Sequence, residues 1–286
     1  MHTSTEALSL SSVKYGDSSL IVACYTKEFG LQSYMLKGIL NSKTNKKTPK
    51  SLFEPLTLLE LEAPKNPTDR LGFIKEAKLH YPYKSIPFDL RKKTLLFFLA
   101  EVIHQVVKEE KEPNVELYSF FKKRMLWLDA ENEIGVFHIK LMLDLSKFIG
   151  FYPNITNDAA AYFDLETGCM SQFKPSGVFL VGSVKTAWIQ LLGMKFDKIN
   201  GMKLSKNEKS TLLNFAILYF KLHLQQFKPP KSTLILNEIA FDLDSYPTFF
   251  DIVEIFMAQG ILYTSDQYCG GAVKDEQCTK LIEKYV

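Results

Sequence analysis

Five lysines, Lys37, Lys43, Lys46, Lys47 and Lys50, fall in a stretch that contains no acid. A run of this kind suits one chemistry above others, which is neutralising the phosphates of a polyanion without reading its bases. Tyr25 and Tyr34 precede the run and Phe53 follows it. A ring beside such a run offers a face on which an unpaired base can stack. The competing readings are a merely solvated loop, and rings that strand alternation turns inward. The expected nucleic-acid contacts are therefore Lys37, Lys43, Lys46, Lys47, Lys50 and Tyr34.

A second set of cations, Arg91, Lys92, Lys93, Lys122, Lys123, Arg124 and Lys140, is interleaved with Phe121, Phe137 and Leu141. A hydrophobic pocket rimmed by cations suits an acidic peptide that ends in Phe and a free carboxylate. Lys122, Lys123, Arg124, Phe121 and Lys140 are the expected members, with a solvated helix face as the alternative. Nothing points to catalysis. Gly270-Gly271-Ala272-Val273-Lys274 lacks the spacing and the Ser or Thr of a phosphate-binding loop. His2, His80, His104, His138 and His223 are scattered, and Glu109-Glu110 sits in a charged helix end. No catalytic residue and no cofactor are expected.

The elements that must position these residues follow from periodicity. Segments near 6–14, 20–26, 31–37, 55–62 and 73–81 are rich in strand formers, and Gly30 falls where a tight turn needs positive φ. Five strands with short turns and one long basic loop predict a small closed barrel of the OB type, with a plain sheet packed on helices as the alternative. Helical spacing then takes over. Leu95, Leu99, Val102, Ile103 and Val106 share one face, and Asn114 is placed to cap a second helix over Leu117, Phe120, Phe121 and Leu128. A third helix carries Ile134, Phe137, Leu141, Leu145 and Phe148 and ends near Gly150, and Ser205 with Glu208 forms a capping box for another. The predicted class is α+β: an N-terminal five-stranded OB-fold-like β-barrel over 1–85, then an α-helical bundle over 86–241. The bundle has a small irregular insert at 151–182, and an acidic C-terminal extension covers 242–286.

The chain's net charge of +3 is unevenly divided, because residues 242–286 hold eight acids against three lysines, a net of −5, which leaves +8 on residues 1–241. Within 242–286, Phe249 to Met257 reads as a helix packed onto the bundle, or as an arm over a basic surface. No apolar run reaches the ~18 residues of a spanning helix, and the N-terminus lacks the pattern of a signal peptide. Cys24, Cys169, Cys269 and Cys278 form no CxxC pair, which suits reduced thiols of a cytoplasmic protein.

Several stretches carry a family resemblance. Val13-Lys14-Tyr15-Gly16-Asp17-Ser18-Ser19-Leu20-Ile21-Val22, Thr26-Lys27-Glu28-Phe29-Gly30, Lys37-Gly38 and Glu54-Pro55-Leu56-Thr57-Leu58-Leu59-Glu60-Leu61 resemble the N-terminus of RecO, a bacterial recombination mediator family. Leu145 to Asn154 resembles the family's Leu-Gly-Phe-x-Pro segment, and Tyr219 to Leu224 with Lys231-Ser232 its closing segment. The likeness spans about 240 residues. It implies a non-enzymatic protein with an OB-fold and a helical domain that binds single- and double-stranded DNA and anneals strands. It further implies that the protein engages the C-terminal tail of single-strand-binding protein (SSB), acts with RecR to load RecA, and is cytoplasmic and nucleoid-associated. Many members carry a four-cysteine zinc site after the Gly-Phe-x-Pro segment. Here Ile155–Ala161 has no cysteine and Cys169 stands alone, so no zinc is expected and packing or main-chain hydrogen bonds must hold the insert. The competing classes are an OB-fold adaptor that docks proteins and an RNA-binding protein on the same barrel.

Overall fold

The computed structural model describes residues 3–40, 49–65, 70–110, 112–157 and 159–239. Lys43, Lys46 and Lys47, the acidic 242–286 segment and both of its cysteines lie outside the described residues.

The N-terminal strands are β1 (Thr3–Tyr15), β2 (Ser19–Thr26), β3 (Gly30–Leu36), β4 (Leu58–Ala63) and β5 (Glu76–Leu79). They form one antiparallel sheet in the order β3-β2-β1-β4-β5. Gly30 turns β2 into β3 at φ +68°, a conformation that glycine adopts without steric cost. The expected closed barrel is corrected in one respect: the sheet is not closed. In place of a ladder between its edges there is an isolated parallel bridge between Tyr34 and Gly72, on the segment leading into β5. Its two hydrogen bonds run from the Met35 amide to Gly72 O (2.8 Å) and from the Gly72 amide to Ser33 O (3.0 Å).

The two sheet faces have different fates. Ala7, Leu20, Val22, Cys24, Tyr34, Leu59, Leu61 and Ala77 form an inner core, into which Leu52 and Phe53 of the 3-10 turn Lys50–Phe53 also pack. Leu8, Leu10, Tyr25 and Leu58 point the other way and join the core of the helical region. A register shift between Ser9 and Ser11 inserts one extra residue in β1 opposite β2. Such a bulge reverses which side chains face which side. Leu8 faces the helices before it, and Val13 and Tyr15 point to that same side after it.

The helices are α1 (Leu90–Glu109), α2 (Val115–Ala130) and α3 (Phe137–Phe148), then α4 (Gly182–Gly193), α5 (Lys206–His223) and α6 (Thr233–Ile239). The predicted caps are present: the Asn114 side chain accepts from the Leu117 amide (2.9 Å), and Ser205 with Glu208 makes the reciprocal capping box. Gly150 ends α3 at φ +83°. The insert, expected as irregular or as a small hairpin, contains the hairpin and one further strand: β6 (Tyr162–Asp164), β7 (Cys169–Ser171) and β8 (Phe179–Leu180) form a three-stranded sheet in the order β7-β6-β8. Its strands are two or three residues long, too short to show a period of two in the sequence. Buried Phe163, Leu165 and Leu180 fix it to Trp188 and Tyr219, and the Tyr219 hydroxyl donates to Phe151 O (2.7 Å). A Cβ on Gly168 would come within 2.6 Å of that hydroxyl, so the hairpin can lie this close only with glycine there.

Two polar clamps join sheet and helices. The buried carboxylate of Asp129 on α2 accepts from the amides of Lys84, Ser85 and Ile86 at 2.8–3.0 Å, holding the segment that leads into α1. Burial alone would raise the Asp129 pKa, but these amide bonds outweigh it and keep the carboxyl below its usual value. The second clamp is Glu6 on β1, whose carboxylate meets Lys122 on α2 at 2.6 Å.

Candidate nucleic-acid interface

The helices cover the sheet's outer face over the rows that contain Glu6 and Leu8, Tyr25 and Leu31. Beyond Ser11–Ala23–Ser33 the same face is bare among the described residues. Its next row is Val13–Ile21–Met35, and the register carries the following row through Tyr15 and Ser19 to Lys37. The Gly72 bridge adds a fourth strand segment whose side chains at Leu71 and Phe73 fall on this side. Val13, Tyr15, Leu71 and Phe73 are 43–55% exposed, which leaves a contiguous apolar surface in water. The Lys37 ammonium lies 4.9 Å from the Phe73 ring centroid, a cation–π contact that confirms the two share a face. Among the described residues no acid lies on these rows, although Asp17 sits in the adjoining β1–β2 turn. The β4–β5 part of the outer face differs, carrying Glu60, Glu62 and Glu76 with Lys75 and Lys78 paired to two of them.

The expected contacts separate on this frame. Lys37 is exposed at the edge of the bare face and opens the basic stretch of the sequence. Lys50 is half-buried in the 3-10 turn, where burial lowers its pKa and Glu54 pulls the other way. Tyr34 is a correction. It is wholly buried in the inner core, its hydroxyl has no hydrogen-bond partner among the described residues, and a base cannot stack on a ring with no accessible face. Tyr25 and Phe53 are buried as well, with Tyr25 edge-on to Phe121. The accessible rings on this face are Tyr15 and Phe73. The legible signal for Tyr15 was its place at a strand end beside the Gly16 turn; for Phe73 it was the Gly72 bridge, which no sequence pattern announces.

The expected peptide pocket is not assembled. Consecutive residues on a helix point about 100° apart, so Phe121, Lys122, Lys123 and Arg124 cannot share one site. Phe121 is fully buried and Lys123 is exposed. Lys122 turns to the sheet, where its ammonium contacts Glu6 and lies 2.8 Å from His80 Nε2. Burial would raise the Glu6 pKa, but Lys122, His80 and Lys27 together hold it below the usual value. Arg124 and Lys140 do come together, on Asp144 at 3.6 and 2.6 Å, with the Arg124 guanidinium 3.7 Å from the Phe196 ring centroid. Burial lowers the Arg124 pKa against the pull of Asp144 and Asp197. Among the described residues no three His, Cys, Asp or Glu side chains are grouped to hold a metal, and no helix is long and apolar enough to cross a membrane.

Comparison with known proteins agrees with the architecture. Residues 1–83 match the family model "Recombination protein O N terminal", and residues 87–233 match "Recombination protein O C terminal". A protein of Flavobacterium psychrophilum named DNA repair protein RecO is 36% identical over 240 residues, covering 84% of this chain and 99% of that protein. Proteins of the same name from Christiangramia forsetii and Phocaeicola vulgatus are 33% and 32% identical, each covering 82% of this chain and 98% of their own length. Two family models in the expected order, and likeness along the whole length of these relatives, show that the chain belongs to the RecO family.

Proposed function

We propose that this protein is a cytoplasmic, nucleoid-associated DNA repair and recombination mediator and not an enzyme. It binds single- and double-stranded DNA through the N-terminal sheet and its basic loop, anneals complementary strands, and with RecR helps load RecA onto SSB-coated DNA. The observation that supports it most is Lys37. It stands exposed on a sheet face whose described rows bear no acid, at the start of the sequence stretch that continues through Lys43, Lys46 and Lys47. Cations so placed neutralise phosphates irrespective of sequence. Annealing on such a surface needs no catalytic group, since screening lets two polyanions approach and base pairing supplies the free energy.

The test is anisotropy binding to a labelled single strand and to a duplex across salt concentrations. Wild type is compared with a variant in which Lys37, Lys43, Lys46 and Lys47 become Glu; Lys50 is spared because it packs beside Glu54. Loss of four phosphate contacts is expected to flatten the log–log slope by about 2.8 on single strands and about 3.6 on duplex. Strand annealing is expected to fall with it. A wild type that binds neither substrate would rule the reading out. Engagement of the SSB tail by the helical region is read separately, with Lys123→Glu and a tail peptide, because Lys122 and Arg124 are bound within the fold. Unchanged peptide affinity removes Lys123 from that site.

A further inference from the structure

Phosphate contacts do not explain why the outer face of β1–β3 is apolar as well as lysine-rimmed. Val13, Ile21 and Met35 form its floor, with Tyr15 at one margin and Phe73 at the other. Three inter-strand steps separate those margins, about 14 Å. An exposed face of this kind usually marks a binding surface. We infer that it is a stacking platform for unpaired bases, with the rings of Tyr15 and Phe73 as its two seats and Lys37 holding a phosphate beside the Phe73 seat. The inference deepens the DNA reading above and rests on it.

Three observations favour a nucleic-acid occupant over a protein. First, the two exposed rings stand apart instead of packing together, as two separately seated bases of one extended strand require. Second, Lys37 already lies over Phe73, so a base seated on that ring would bring its phosphate next to the ammonium. Third, the described rows of this face bear no acid, while the β4–β5 part of the same sheet, outside the proposed seat, carries Glu60, Glu62 and Glu76. A duplex keeps its bases stacked on one another and has none to offer, so the platform discriminates single strands from duplex. A base held by its π-face leaves its Watson–Crick edge open. A second strand can therefore pair with it in place, which is what annealing demands.

The experiment is Tyr15→Ala with Phe73→Ala, assayed against a single strand and a duplex of equal length at two salt concentrations. Single-strand affinity is expected to fall about 10- to 100-fold, with its salt slope and the duplex affinity both unchanged. Unchanged single-strand affinity overturns the inference and leaves the face to a protein partner. An equal loss on both substrates also overturns it, because that is the mark of altered folding or lost phosphate contacts. Wild type binding neither substrate defeats the underlying DNA reading, and the inference with it. As an independent readout, Tyr15→Trp is expected to show fluorescence quenching by single strand and not by duplex; no quenching by single strand removes Tyr15 from the platform.

Discussion

Lys122 on α2 reaches across to Glu6 of β1 at 2.6 Å, whereas Lys37 at the end of β3 lies over the Phe73 ring, with no acid on the described rows around it. Both belong to lysine clusters that look alike in sequence. The difference lies in burial. Lys122, Arg124 and Lys140 are largely withdrawn from water between packed elements, and a charge so withdrawn must find an opposite charge or cost several kcal/mol. Hence Lys122 takes Glu6, and Arg124 and Lys140 share Asp144. The bare sheet face makes no such demand, and Lys37 stays exposed there with no acid on the described rows around it.

The comparison breaks most visibly at Glu6. Glu6→Ala leaves Lys122, Lys27 and His80 facing one another across the sheet–helix boundary, and about 2 kcal/mol of stability is expected to be lost in a denaturant titration, discounted for partial exposure. Its DNA salt slope is expected to stay at the wild-type value, because the proposed phosphate contacts lie on another part of the sheet. Three carboxylates at separate places set an acid limb. Glu6, Asp129 and Asp89, which caps α1 and pairs with Arg91 at 2.8 Å, are held below their ordinary values of 4.5, 3.8 and 3.8. The stability they contribute is fully present above those values and is lost as pH falls through the lower folded-state ones. Glu6→Gln is expected to shallow that acid limb in a pH series of thermal melts, and an unaltered limb would remove Glu6 from it.

Smaller effects sharpen the contrast. Arg124→Ala removes a guanidinium that packs on Phe196 and pairs with Asp144, and about 1–2 kcal/mol is expected to go with it, again without effect on DNA affinity. Tyr34→Phe deletes a buried hydroxyl that has no partner among the described residues, so stability is expected to hold or rise by up to about 1 kcal/mol. DNA binding is expected to be indifferent to it. A marked loss of single-strand affinity in Tyr34→Phe would show that the inner core opens to ligand.

Much of this architecture was legible in the sequence. Strand periodicity, Gly30, the Asn114 cap and the Ser205–Glu208 box are local signals, and each stands where it was read. The failures are non-local. Tyr34 and Tyr15 are both strand tyrosines, and only the pairing register, the β1 bulge and the Gly72 bridge decide which ring is buried. Closure of the barrel failed for the same reason, since it depends on two edges meeting. The peptide pocket failed on helix geometry, because four consecutive residues cannot face one ligand. Helix α4 begins at the end of the insert, with Val181 before it offering no side-chain cap, so it lacked the start signal that announced α2 and α5.

The central claim is that the sheet cations meet nucleic acid and the helical ones do not. The most direct test compares log–log salt slopes for single-strand binding in two charge reversals: Lys37, Lys43, Lys46 and Lys47 to Glu, and the exposed helical pair Lys123 and Lys147 to Glu. The account predicts a slope flattened by about 2.8 in the first and a wild-type slope in the second. A wild-type slope in the first with a flattened slope in the second would contradict it and move the nucleic acid to the helices.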